Sequence, residues 1–132
     1  MNRSGYGACD EDEADAWWRD VANAIASPKG QAFLRELADA LDALPDKALI
    51  EGELIDEEGN YCAVGAVCGA RGIDTKGMDS DADSVAERLG VPLPLVAAII
   101  DRNDGWHNDT PEVRWKRVRR WVDKQIRKDD VT

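Results

Sequence analysis

A chain of 132 residues that is 43% hydrophobic, with five tryptophans, can bury one modest core and is too apolar for a disordered segment. Its net charge of −10 favours basic partners over nucleic acid, and no apolar run approaches the roughly 20 residues of a membrane span. No apolar h-region precedes the first acidic run, and Cys9, Cys62 and Cys68 form no disulfide framework, so the expectation is a soluble cytoplasmic protein without a signal peptide.

Residues 1–9 read as a frayed, Gly-rich end, and residues 1–12 as a flexible acidic N-terminus of a single domain spanning residues 1–132. Asp10-Glu11-Asp12-Glu13 then precedes Ala14, Trp17, Val21, Ala24 and Ile25, the spacing of one helical face with acids in its first turn. Ser27-Pro28 is a cap followed by proline at the first helical position, and it opens a second helix. The stripe of that helix is Phe33, Leu34, Leu37, Leu41 and Leu44, closed by Pro45. Residues 48–61 carry turn chemistry at Asp56-Glu57-Glu58-Gly59-Asn60 and predict a short irregular hairpin or extended connection. Cys62 to Ala70 is apolar on every side and predicts a helix buried all round.

A Gly/Asp loop covers residues 72–80. Ser80 or Asp81 caps a helix that ends at Leu89-Gly90, and Pro92 or Pro94 opens another that stops at Asn103-Asp104-Gly105. Thr110-Pro111 starts the last helix, with Val113, Trp115, Val118, Val122 and Ile126 as its inner stripe. The fold class is mainly α, a compact bundle of about five or six helices.

Charge is sorted along this chain. Residues 1–60 hold fifteen Asp/Glu against five Lys/Arg, a net of −10, residues 61–105 net −3, and residues 106–132 net +3. The cations of the last helix, Arg114, Lys116, Arg117, Arg119, Arg120, Lys124, Arg127 and Lys128, read as a solvated outer face that can pair with the acidic half of the same chain or of a second copy. The acidic half can instead serve solubility or capture a basic groove by imitating phosphate spacing. The candidate partner-binding residues are Asp10, Glu11, Asp12, Glu13, Asp15, Trp18, Glu51, Glu53, Glu57 and Glu58, with Trp17 an alternative to Trp18.

Catalytic and metal chemistry find no foothold. Cys62 and Cys68 lie six apart, on different faces of a helix, and the single His107 is distant from both. One histidine leaves no His-based triad, and Gly65, Gly69 and Gly72 lack the strand and Lys-Ser/Thr of a phosphate loop. Neither catalytic residue, metal nor cofactor is expected. Ser84 to Val91 followed by Val96 and Ile99 has helix-turn-helix spacing, but Pro92 to Asp101 offers no cation and no base-reading donor, so direct nucleic-acid binding is not expected.

Gly30-Gln31-Ala32-Phe33-Leu34, Cys62-Ala63-Val64-Gly65-Ala66, Arg71-Gly72, Asn103-Asp104 and Thr110-Pro111-Glu112-x-Arg114-Trp115 together resemble a family of small phage and prophage proteins of unassigned function. The likeness covers about residues 15–126. It implies phage ancestry and the cytoplasm of a bacterial host, and it supplies no active site. The leading expectation is a non-enzymatic accessory protein that binds a host protein or nucleoprotein complex with a basic surface, of the anti-CRISPR inhibitor kind. A helix-turn-helix DNA-binding regulator is the alternative, and a homodimer is left open.

Overall fold

The computed structural model describes residues 5–105 and 109–127, with the side chains of the first helix described from residue 16 onward. Among these residues it contains six helices: α1 (Gly5–Ala26), α2 (Pro28–Ala43), α3 (Ala63–Arg71), α4 (Ala82–Leu89), α5 (Leu93–Asp104) and α6 (Pro111–Gln125). No described helix is long and apolar enough to cross a membrane. The helix α1 reaches back to Gly5, through the segment read as a frayed end, so Asp10 to Glu13 lie in its second and third turns rather than its first.

Local chemistry fixes the boundaries. Ser27 ends α1 and starts α2 at once: its hydroxyl donates to the Ala24 carbonyl at 2.7 Å and accepts the Gly30 N–H at 3.0 Å. Such a cap contributes about 1 kcal/mol. Asp81 and Thr110 cap α4 and α6 in the same way, accepting from Ser84 and Val113. The αL conformation of Gly90, φ 71°, closes α4 and turns the chain into α5.

The core centres on α3. Cys62 to Cys68 are all buried, packed among Leu34, Leu37 and Leu41 of α2 and Leu95, Val96 and Ile99 of α5. Burial all round stops at Cys68, because Gly69 and Ala70 reach solvent at the end of the helix. Glycine at 65 is a steric requirement: a Cβ there would lie 1.9 Å from the Leu54 carbonyl oxygen. The hairpin thus rests directly on the α3 backbone.

That hairpin is short and irregular, as expected from its turn chemistry. Its one bridge is antiparallel between Ile55 and Tyr61, and the Ile50 N–H donates to the Tyr61 carbonyl at 3.0 Å. Asn103, which the sequence offers only as a helix stop, is what holds it. Its buried side chain accepts the Ala63 N–H at 3.0 Å and donates to the Ile50 carbonyl at 2.8 Å, joining α3, α5 and the hairpin. Gln31 plays the corresponding part at the opposite end. Its amide donates to the Ile25 and Gln125 carbonyls and accepts the Arg127 N–H, so the C-terminal ends of α1 and α6 lie side by side.

Candidate protein-docking surfaces

The outer face expected of α6 holds for Lys116, Arg120 and Lys124, which are exposed. Arg114, Arg117 and Arg119 instead turn toward other elements, Arg114 and Arg119 reaching acids of the first half. Arg114 is only 3% exposed; its guanidinium donates to the Leu49 carbonyl at 2.8 Å, to Glu51 at 2.9 Å and to the Asp109 carbonyl at 3.2 Å. Arg117 pairs with Asp109 at 2.7 Å and donates to the Arg102 carbonyl. Arg119 pairs with Asp42 of α2 at 2.9 Å. Val113, placed on the inner stripe, is instead exposed. Helical phase explains both: at 100° per residue Arg114 lies about 40° from Val118, whereas Val113 lies about 140° away. Trp115 packs partly against the core and its indole N–H donates to the Leu41 carbonyl at 3.0 Å.

These bonds dispose of Glu51 as a docking residue. Its carboxylate is half-buried and bound to Arg114, so it belongs to the joint between hairpin and α6. Glu53, Glu57 and Glu58 do stand in solvent. They face outward from a turn that Asp56 organises by accepting the Glu58 and Asn60 N–H groups at 2.9 Å each. Those donors hold the Asp56 carboxyl below its usual range, with the Asn60 N–H first among them. The hairpin borders the loop from Thr75 to Ser80 along a shallow cleft, and Asp79 adds its carboxylate there. Asp74, Asp81 and Asp83 on the same loop and the start of α4 add further acids, against Lys76 as the loop's cation.

Trp18 lies on a different surface. With Trp17 it forms one lip of a groove of about 570 Å³ between α1, α5 and α6. The two indoles are 55% and 39% exposed, and the floor is Val21, Ala22, Ala97 and Ala98. Trp121 closes the far side beneath Arg102, whose guanidinium sits 5.6 Å from the ring centroid. No residue lines both the groove and the acidic cleft, so the structure separates Trp18 from the hairpin acids. The side chains of Asp10, Glu11, Asp12, Glu13 and Asp15 lie outside the described residues, as does His107.

Nucleophilic chemistry at Cys62 is opposed by its surroundings. The thiol caps α3, accepting the Gly65 N–H at 3.3 Å, and a helix N-terminus normally favours a thiolate. Burial outweighs that effect and pushes the thiol up to about 12, so it stays protonated at neutral pH. Among the described residues no group of three or more His, Cys, Asp or Glu side chains could hold a metal ion.

The helix-turn-helix candidate also changes character. Helices α4 and α5 pack against each other, but the side chains they leave exposed are Asp83, Glu87, Arg88, Leu93 and Asp101. Three carboxylates against one guanidinium repel phosphate. Comparisons of the chain with family models, with curated proteins and with solved structures return no match.

Proposed function

We propose that the chain is a non-enzymatic binding factor that lays its acidic hairpin face on a basic surface of a partner protein or nucleoprotein complex. In its most concrete form it is a phage accessory protein that inhibits a bacterial defence complex of the anti-CRISPR kind, acting in the host cytoplasm. One observation carries this reading. Arg114, Arg117 and Arg119 are engaged within the fold, while Glu53, Glu57 and Glu58 are left in solvent, with Glu53 and Asp79 lining one cleft. The excess negative charge is therefore displayed on a surface rather than distributed through internal pairs. A field of one sign accelerates encounter with an opposite one and suppresses binding to phosphate.

The DNA-binding alternative has less support, because α4 and α5 present acids where a recognition helix needs cations and base-reading donors. Capture from a bacterial lysate, followed by association kinetics with the recovered partner, tests the proposal. The variant carrying Glu53→Lys, Glu57→Lys and Glu58→Lys should associate at least about tenfold more slowly at low salt, with the difference shrinking at high salt. An unchanged rate would leave the hairpin acids with a role in solubility alone.

A further inference from the structure

The groove between α1, α5 and α6 is held in shape by its neighbours. Val21 and Ala98 of its floor are 3% and 8% exposed, and Ala22 and Ala97 add only methyl groups. One end is fixed by Gln31, which donates to the Ile25 and Gln125 carbonyls and accepts the Arg127 N–H. The Arg35 guanidinium holds the Arg127 carbonyl at 2.7 Å. The indoles of Trp17, Trp18 and Trp121 line this trough. A preformed, aromatic-lined cleft of about 570 Å³ lies within the roughly 300–1,000 Å³ typical of small-molecule sites.

The exposed aromatic surface sets the size of the occupant. Trp17 and Trp18 leave 39% and 55% of their surfaces in solvent, roughly 200 Å² together. A stable protein interface takes roughly 800 Å² from each partner, whereas a flat molecule of one or two rings buries about 200 Å². The polar lining sets its charge. Arg102 and Arg127 bring two guanidiniums to the groove against the one carboxylate of Asp101. Among the described residues neither arginine is bound to a carboxylate, in contrast to Arg114, Arg117 and Arg119. Arg102 sits over the Trp121 ring, 5.6 Å from its centroid. It occupies the ring face that would attract a cationic ligand and leaves its own N–H edge for an anion.

We infer that the groove binds a small planar aromatic carboxylate, its rings against the indoles and its anionic group on the Arg102 guanidinium, with Arg127 adding a second positive charge. An arginine–carboxylate pair is bidentate and directional, so it selects the anion, while the indoles supply contact area that any flat ring can use. The net charge of −10 opposes an anion at a distance. That field is screened beyond about 10 Å at 0.1 M ionic strength, whereas Arg102 acts at contact. The site is independent of the hairpin reading, because the groove and the acidic cleft share no residue.

Isothermal titration calorimetry of the full chain, with naphthoate as the probe, tests it. One site should bind with a dissociation constant of about 0.1–1 mM, the range expected for a ligand of so few atoms. Naphthalenemethanol, neutral and of similar shape, should bind about fivefold more weakly, and the cation naphthylmethylammonium more weakly still. Arg102→Gln should weaken naphthoate about fivefold and leave naphthalenemethanol unchanged, a split that loss of folding does not produce. Ala22→Trp sets a bulky ring at an exposed position on the groove floor. It should abolish binding of all three probes with an unchanged melting temperature. Absence of naphthoate binding up to several millimolar overturns the inference. So do equal affinities for the three probes, a preference for the cation, or binding that survives Ala22→Trp.

Discussion

In α6, Arg114, Arg117 and Arg119 turn their guanidinium groups onto carbonyls and carboxylates of other elements; in the hairpin, Glu53, Glu57 and Glu58 stand in solvent. The difference follows from donor chemistry and supply. A guanidinium offers five donors on a long apolar stem, so it can satisfy several carbonyls at a joint where loops leave them without N–H partners. A carboxylate only accepts, and past the first turn of a helix the backbone N–H groups are already taken. In a chain with 27 acids and 17 Lys/Arg, three α6 arginines become structural members while Glu53, Glu57 and Glu58 stay outside. Glu51 is the exception that supports the rule, since it is the hairpin acid that Arg114 reaches.

The hairpin rests on α3, and α6 packs on α2 and α5, which themselves pack on α3, so the largest expected effect comes from damaging α3. Val67→Asp should cost about 4 kcal/mol or more, because it buries an unpaired charge at a fully enclosed position. A melting temperature within a degree or two of wild type would show that α3 is not the shared support. Asn103→Ala separates the two regions. It strands the Ala63 N–H and the Ile50 carbonyl, and should cost about 2 kcal/mol. Hydrogen exchange should then accelerate in the hairpin while α6 keeps its protection; equal loosening of both would break the comparison.

A smaller effect concerns pH. The Arg71 guanidinium beside Glu36 and the Arg119 guanidinium beside Asp42 hold both carboxyls below their usual values of 4.5 and 3.8. A carboxyl whose folded pKa is depressed stabilises the fold fully above its unfolded pKa and loses that contribution as pH falls through the folded one. Stability should therefore decline below about pH 4.5. Each pair is partly exposed, so each should contribute no more than about 1 kcal/mol after solvent screening. Denaturant titrations from pH 6 to 2 should show a shallower acid limb in Asp42→Asn than in wild type. Identical limbs would mean that Arg119 anchors nothing.

Much of this architecture was legible in the residues themselves. Ser27-Pro28, Asp81, Gly90 and Thr110-Pro111 mark their helix ends by cap chemistry that acts over a few residues. The α2 stripe and the apolar Cys62–Cys68 run identify the core for the same local reason. Long-range polar ties escaped. Arg114 meets Leu49 and Glu51 more than sixty positions away, and Asn103 meets Ile50 and Ala63 across the fold, so periodicity registers neither. The phase of α6 was the available signal for Arg114, because it shares a face with Val118 and Val122. Of the expected docking residues, Trp18 is exposed on the α1 groove and Glu53, Glu57 and Glu58 on the hairpin, while Glu51 went inward. That split depends on which acid a buried cation can reach, and only the fold decides it.

The claim that Arg114, Arg117 and Arg119 are structural while Glu53, Glu57 and Glu58 stand in solvent is tested most directly by urea unfolding of two charge variants measured side by side. Arg114→Met removes one buried guanidinium and leaves the Leu49 and Asp109 carbonyls without their donor, and it should lose about 3 kcal/mol. The Glu53→Lys, Glu57→Lys, Glu58→Lys variant changes the net charge by six units and should stay within about 0.5 kcal/mol of wild type. Equal losses in the two, or a larger loss in the hairpin variant, would contradict the account.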